Sequence, residues 1–180
     1  MFKIPYLHPQ IKALIVTSVF AFAGILGWYF AESTSPDPLL LLPLAIFYAT
    51  LTVNTYFSVK LFASITPLHD YIHQLFDLLM VAAYFVLAYT FFSPQAFFLA
   101  ALFLFIFALL KYILLLGVIP HLQLLKRKII IDLFGTLLCA SVVAGAYLGY
   151  VTESAWVLAT LFLLANIYLL LINHMYRLID

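Results

Sequence analysis

Four ionisable residues interrupt long apolar runs of this chain: Lys12, Asp77, Lys111 and Asp132. A charge at the centre of a membrane span costs about 3 kcal/mol or more, so such groups pair with one another or line a polar cavity. Asp77 has a natural partner in Lys111, and Asp132 in Lys12. The same groups would serve a cation or proton pathway, or hold an anionic solute. Helical spacing sorts further polar residues onto faces. Asp70, His73, Asp77 and Tyr84 fall on one stripe, Thr50, Asn54 and Ser58 on a second, and Asn166, Asn173 and Arg177 on a third.

His69 and His73 stand one helical turn apart, a spacing that lets two imidazoles bind a transition metal from one face, with Asp70 or Asp77 to complete the set. His73 beside Asp77 also suits proton coupling, because histidine titrates near neutral pH. The plainer reading makes these interfacial histidines after Pro67, with Asp70 capping the helix that follows. Ser141, Gly145 and Gly149 recur every fourth residue and form a seam suited to close helix packing. Asp132, Gly135, Thr136 and Cys139 share the opposite face, so this helix is expected at the bundle centre or at an oligomer contact. Lys111 stands alone among Phe and Leu, which predicts a lipid-facing helix around it. No phosphate-binding loop, nucleophile elbow, HExxH pair or CxxC pair is present. Cys139 is the single cysteine, which excludes an intramolecular disulfide. No cofactor is expected.

These residues sit in six apolar stretches, at about 11–31, 39–61, 71–92, 95–117, 129–151 and 154–175. Each has the roughly 20 residues needed to cross a bilayer core. The separators are short and rich in Pro and Ser, which stop and start helices. The strict apolar/polar alternation of a membrane barrel is absent. The expected fold is therefore all-α: a polytopic membrane protein with six transmembrane helices in a single domain, and no loop long enough for a soluble one. The first stretch reads as a span, since no small-x-small cleavage site follows it.

Composition agrees. Of 180 residues, 67% are apolar, 18 are Phe and 12 are Tyr, against eight Lys/Arg and seven Asp/Glu. That excludes an ordinary soluble domain and a disordered chain alike. A formal net charge of +1 leaves no basic footprint for nucleic acid. If the first helix starts on one side, that side receives Lys3, Lys12, Lys60, Lys126, Arg127, Lys128 and Arg177. The other receives Glu32, Asp37 and Glu153 and no Lys or Arg. The positive-inside rule then puts both termini in the cytoplasm, in a plasma or inner membrane. All five histidines also fall at the cytoplasmic ends. Lys126, Arg127 and Lys128 read as a headgroup-contacting cluster in the connection before the fifth span.

Lys12, Asp77 and Asp132 can be laid over one another, each a turn inside the cytoplasmic edge. This is open to a reading as three helical-hairpin repeats about an axis near the membrane normal. The segment QLFDLLMVAAYFVLA (Gln74 to Ala88) resembles the acidic LFFDLVF-type segment of the low temperature requirement A membrane proteins, over one helix of six. No residue role is carried over from it.

Three functions compete. The leading expectation is a small transporter or channel that moves an ion or small solute through a polar, cytoplasm-facing pathway lined by Lys12, Asn54, Asp70, His73, Asp77, Lys111, Asp132, Asn166 and Asn173. The second is a non-catalytic membrane subunit or assembly factor, in which Ser141, Gly145 and Gly149 meet a membrane-protein partner or a second copy. The third is a membrane-embedded enzyme acting on a lipid-like substrate through His69, Asp70, His73 and Asp77, with His174 as a further candidate.

Overall fold

The computed structural model describes residues 8–34, 38–62, 65, 70–119 and 123–172. Every regular element among them is helical: α1 (Pro9–Thr34), α2 (Pro38–Phe62), α3 (Tyr71–Tyr89) with a 3₁₀ turn at Thr90–Phe92, α4 (Pro94–Val118), α5 (Gln123–Tyr147) and α6 (Val151–Ile167), which widens into a π turn at Tyr168–Ile172. All six helices are long and apolar enough to cross a membrane, the architecture of a multi-pass membrane protein. Large apolar side chains such as Phe22, Ile25, Leu78, Phe134 and Leu164 stand exposed around the outside, where lipid rather than water is their proper solvent. Mid-helix hydroxyls are satisfied locally: Thr17, Thr50, Thr52, Thr55, Thr90, Thr136 and Ser141 each donate to the carbonyl four residues back. This removes the cost of an unpaired group in hydrocarbon.

Helix ends follow local chemistry. Asp70 caps α3 by accepting from the Ile72 amide at 2.9 Å. Pro94 opens α4, where its missing N–H costs nothing. α5 ends at Tyr147, short of the expected 151, because Gly149 takes φ +99°. The Tyr150 amide then reaches the Gly145 carbonyl and the Gly149 amide reaches Ala146, a Schellman closure that needs a residue tolerant of positive φ. The start of α5 also moves, to Gln123 instead of 129, which turns Lys126, Arg127 and Lys128 into helical residues.

The helices close into a ring whose neighbours run α1, α2, α6, α5, α4, α3 and back to α1. A ring of three hairpins in threefold rotation would place α2 against α3 or α5, whereas α2 packs against α6. α4 is not the lipid-facing helix its polar-poor sequence suggested. It packs against both α3 and α5 and buries Phe97, Phe98, Ala101, Phe105, Lys111 and Tyr112. Apolar residues suit lipid and protein interior equally, so hydropathy could not separate the two.

One half of the ring is filled with rings of another kind. Phe20 stacks on Tyr84 at 4.0 Å, and Tyr48, Phe91, Phe97, Phe47 and Phe162 continue the contact chain across α2, α3, α4 and α6. The Tyr48 hydroxyl donates to the Phe20 carbonyl at 2.9 Å. The Tyr84 hydroxyl meets Thr55 and donates to Leu51. Each phenol therefore has a partner in a dry interior, as buried Tyr requires.

Candidate functional site

Toward the lysine-bearing end the aromatic packing stops and a cavity of about 340 Å³ opens inside the ring. Five helices line it. α1 gives Lys12, α2 gives Asn54, Thr55 and Ser58, α3 gives Gln74, Asp77 and Tyr84, α4 gives Lys111 and Tyr112, and α5 gives Lys128 and Asp132. Lining residues that are exposed, namely Lys12, Gln74 and Val81, lie on α1 and α3, and Asp77 is half exposed beside them. The mouth therefore lies between these two helices. Away from it the two helices are in contact, through Phe20 stacked on Tyr84 and, farther on, where a Cβ on Gly27 would stand 1.9 Å from the Ala88 carbonyl oxygen.

Two ion pairs organise the site. Lys111 Nζ on α4 meets Asp77 Oδ1 on α3 at 2.5 Å, the pairing expected from sequence. Asp132, 1% exposed, does not pair with Lys12. Its Oδ1 accepts from Lys128 Nζ at 2.6 Å, one turn earlier on the same helix. The correction follows from the longer α5: once residues 123–128 are helical, the i, i+4 spacing brings Lys128 onto the face of Asp132. Lys128 is 4% exposed and so is no headgroup contact. The Tyr112 ring lies within 5.9 Å of the Lys111 amine and 5.5 Å of the Lys128 amine, and faces both with π density. Among the described residues Asp132 Oδ2 is buried without a hydrogen-bond partner, and Lys12 has no ion-pair partner. Three lysines against two aspartates leave the lining at a formal +1.

The remaining expected residues separate. Of the α3 stripe, Asp77 and Tyr84 line the cavity, while Asp70 and His73 do not. His73 is buried and its Nδ1 donates to Asp70 Oδ2 at 2.9 Å, while its Nε2 is buried with no hydrogen-bond partner among the described residues. The Ile72 amide and, after it, the His73 hydrogen bond hold the Asp70 carboxyl below the usual carboxylate range. His69, Asn173 and His174 lie outside the described residues. Among those described, no three His, Cys, Asp or Glu side chains gather to hold a metal. The small-residue seam is divided. Gly145 approaches the Ser154 hydroxyl, a Cβ there falling 2.7 Å from it. Ser141 is exposed, and Gly149 lies past the helix end.

Asn166 belongs to a second concavity, a groove of about 810 Å³ between α5 and α6. Asn54 lines both spaces, so the wall between them at that level is a single side chain thick. Thr55, Gln74, Tyr112 and Lys128 are the polar lining residues that sequence reasoning missed. The Lys128–Asp132 spacing was a usable signal, masked by an expected helix start at 129. No family model, curated protein or solved structure matches the chain.

Proposed function

We propose that this protein is a small-solute transporter whose binding site is the cavity between Lys12, Asp77, Lys111 and Asp132. The single observation that carries the reading is a polar, charged cavity inside the ring, exposed on the side of α1 and α3 and backed by packed aromatic rings. A route with one open end is what alternating access requires of each resting state. The two ion pairs neutralise most of the charge and set the dielectric character of the site. The excess positive charge at Lys12 favours an anionic group on the solute, and Asp132 Oδ2 offers an acceptor to a donor group. The substrate class that fits is a small organic solute carrying both, such as an amino acid or a hydroxy acid. The lysine-bearing end faces the cytoplasm on the positive-inside rule. An enzymatic reading draws less support, because Asp70 and His73 stand outside the cavity.

The test is solute-driven current from proteoliposomes on a solid-supported membrane, challenged in turn with amino acids, hydroxy acids and neutral sugars. Current is expected from one of the first two groups. Asp77→Asn, and the charge-neutral double variant Lys128→Gln with Asp132→Asn, are each expected to lower it at least tenfold while the protein remains monodisperse. Undiminished current in both variants sinks the assignment.

A further inference from the structure

The groove between α5 and α6 is separate from the cavity mouth and opens on another side of the ring. The two helices touch at their connection, where Gly145 meets Ser154, and diverge toward the lysine-bearing end. The exposed walls are apolar: Ile130, Phe134 and Leu137 on α5, Leu161 and Ala165 on α6. At about 810 Å³ the groove falls within the range of sites that enclose most of a ligand. A space of this kind inside the hydrocarbon layer takes an alkyl chain.

Two polar features make it more selective than a generic lipid contact. Arg127 stands exposed at the wide end, where its guanidinium would meet a phosphate in bidentate fashion. Asn166, 4% exposed, lines the groove floor. Its Nδ2 donates to the Phe162 carbonyl of its own helix at 2.8 Å, and its Oδ1 is left as a buried acceptor with no partner among the described residues. Water is scarce at that depth, so a donor that reaches Asn166 arrives on the ligand itself. By helical rise, counted from the Gly145–Ser154 contact, Asn166 lies about 9 Å deeper than the Arg127 backbone.

We propose that this groove binds a single-chain anionic lipid with a free hydroxyl, the chemistry of a lysophospholipid. The chain lies between α5 and α6, the phosphate on Arg127, and the glycerol hydroxyl donates to Asn166 Oδ1. Diacyl phosphatidic acid has an ester and a second acyl chain in place of that hydroxyl, so it offers Asn166 no glycerol donor. The proposal stands independently of the central cavity.

Native mass spectrometry of the full chain, released from a neutral maltoside detergent, tests it with lysophosphatidic acid as the probe and diacyl phosphatidic acid as the comparison. One lysophosphatidic acid is expected to remain bound per chain, at least tenfold more tightly than the diacyl lipid. Arg127→Gln and Asn166→Leu are each expected to weaken it at least fivefold, and Lys60→Gln to leave it unchanged. Asn166→Leu removes an unpaired buried acceptor, so it should fold at least as well as the parent. Equal binding of the two lipids, binding insensitive to Asn166→Leu, or a dimer that excludes the lipid from this face would each overturn the proposal.

Discussion

Lys128 and Asp132 pose the sharpest energetic question at the scale of single residues. Both are nearly inaccessible, so each ion has lost its hydration and depends on the other. Removing one partner of such a pair costs about 3–5 kcal/mol, because it strands a buried charge, whereas replacing both with apolar groups is close to neutral. Lys128→Met should therefore lower the unfolding temperature in detergent sharply, and Lys128→Met combined with Asp132→Leu should recover most of the loss. Two independent, additive losses would show that the pair is not coupled. Asp70 is the contrasting case, an exposed cap outside the spans. Its lowered pKa means that the cap stabilises the start of α3 above the unfolded carboxylate value of about 3.9 and weakens as pH falls through the folded value. Amide exchange at Ile72 and His73 should speed up across that acid range, and Asp70→Asn, which keeps a cap without a titration, should flatten the profile.

At the scale of elements, the cavity mouth depends on where α1 and α3 are allowed to touch. Gly27 makes that contact, and what faces it is the Ala88 backbone, which cannot rotate away. Gly27→Ala should force the two helices apart and destabilise the protein by about 1–3 kcal/mol, the usual cost of overpacking. Gly117 has nothing within 4 Å of its would-be Cβ. Gly117→Ala should be neutral or slightly stabilising through helix propensity. Thermal unfolding of the two variants side by side checks the pair of expectations, and equal effects would remove the special role of Gly27. The same logic explains why α4 was misjudged from sequence. Apart from Lys111, its nine buried residues and its exposed ones are drawn from the same largely apolar alphabet.

For the whole molecule the issue is sidedness. The aromatic packing from Phe20 to Phe162 fills one half of the ring, and the cavity lies in the other, with its exposed lining residues on α1 and α3. A single cysteine at Ser58, introduced after Cys139→Ala, should react with a membrane-impermeant maleimide from the lysine-bearing side and be protected from the opposite one. Labelling from both sides in sealed vesicles would mean that the aromatic packing is no barrier.

Sequence by itself determined the class of architecture. Six stretches of membrane length with breakers between them can satisfy their backbones only as helices, and that result depends on composition and local hydrogen bonding alone. It also pointed correctly to Asp77 with Lys111, because those two are the charges that must be compensated in their respective spans. Tertiary structure decided the rest. The partner of Asp132 depended on where α5 begins, a matter of a few residues that hydropathy does not resolve. The order of helices around the ring, the divergence of α1 from α3 and of α5 from α6, and the burial of α4 all arise from close packing between apolar surfaces. Such surfaces look alike to any measure of hydrophobicity. Only their shapes, glycine against carbonyl and ring against ring, distinguish one neighbour from another.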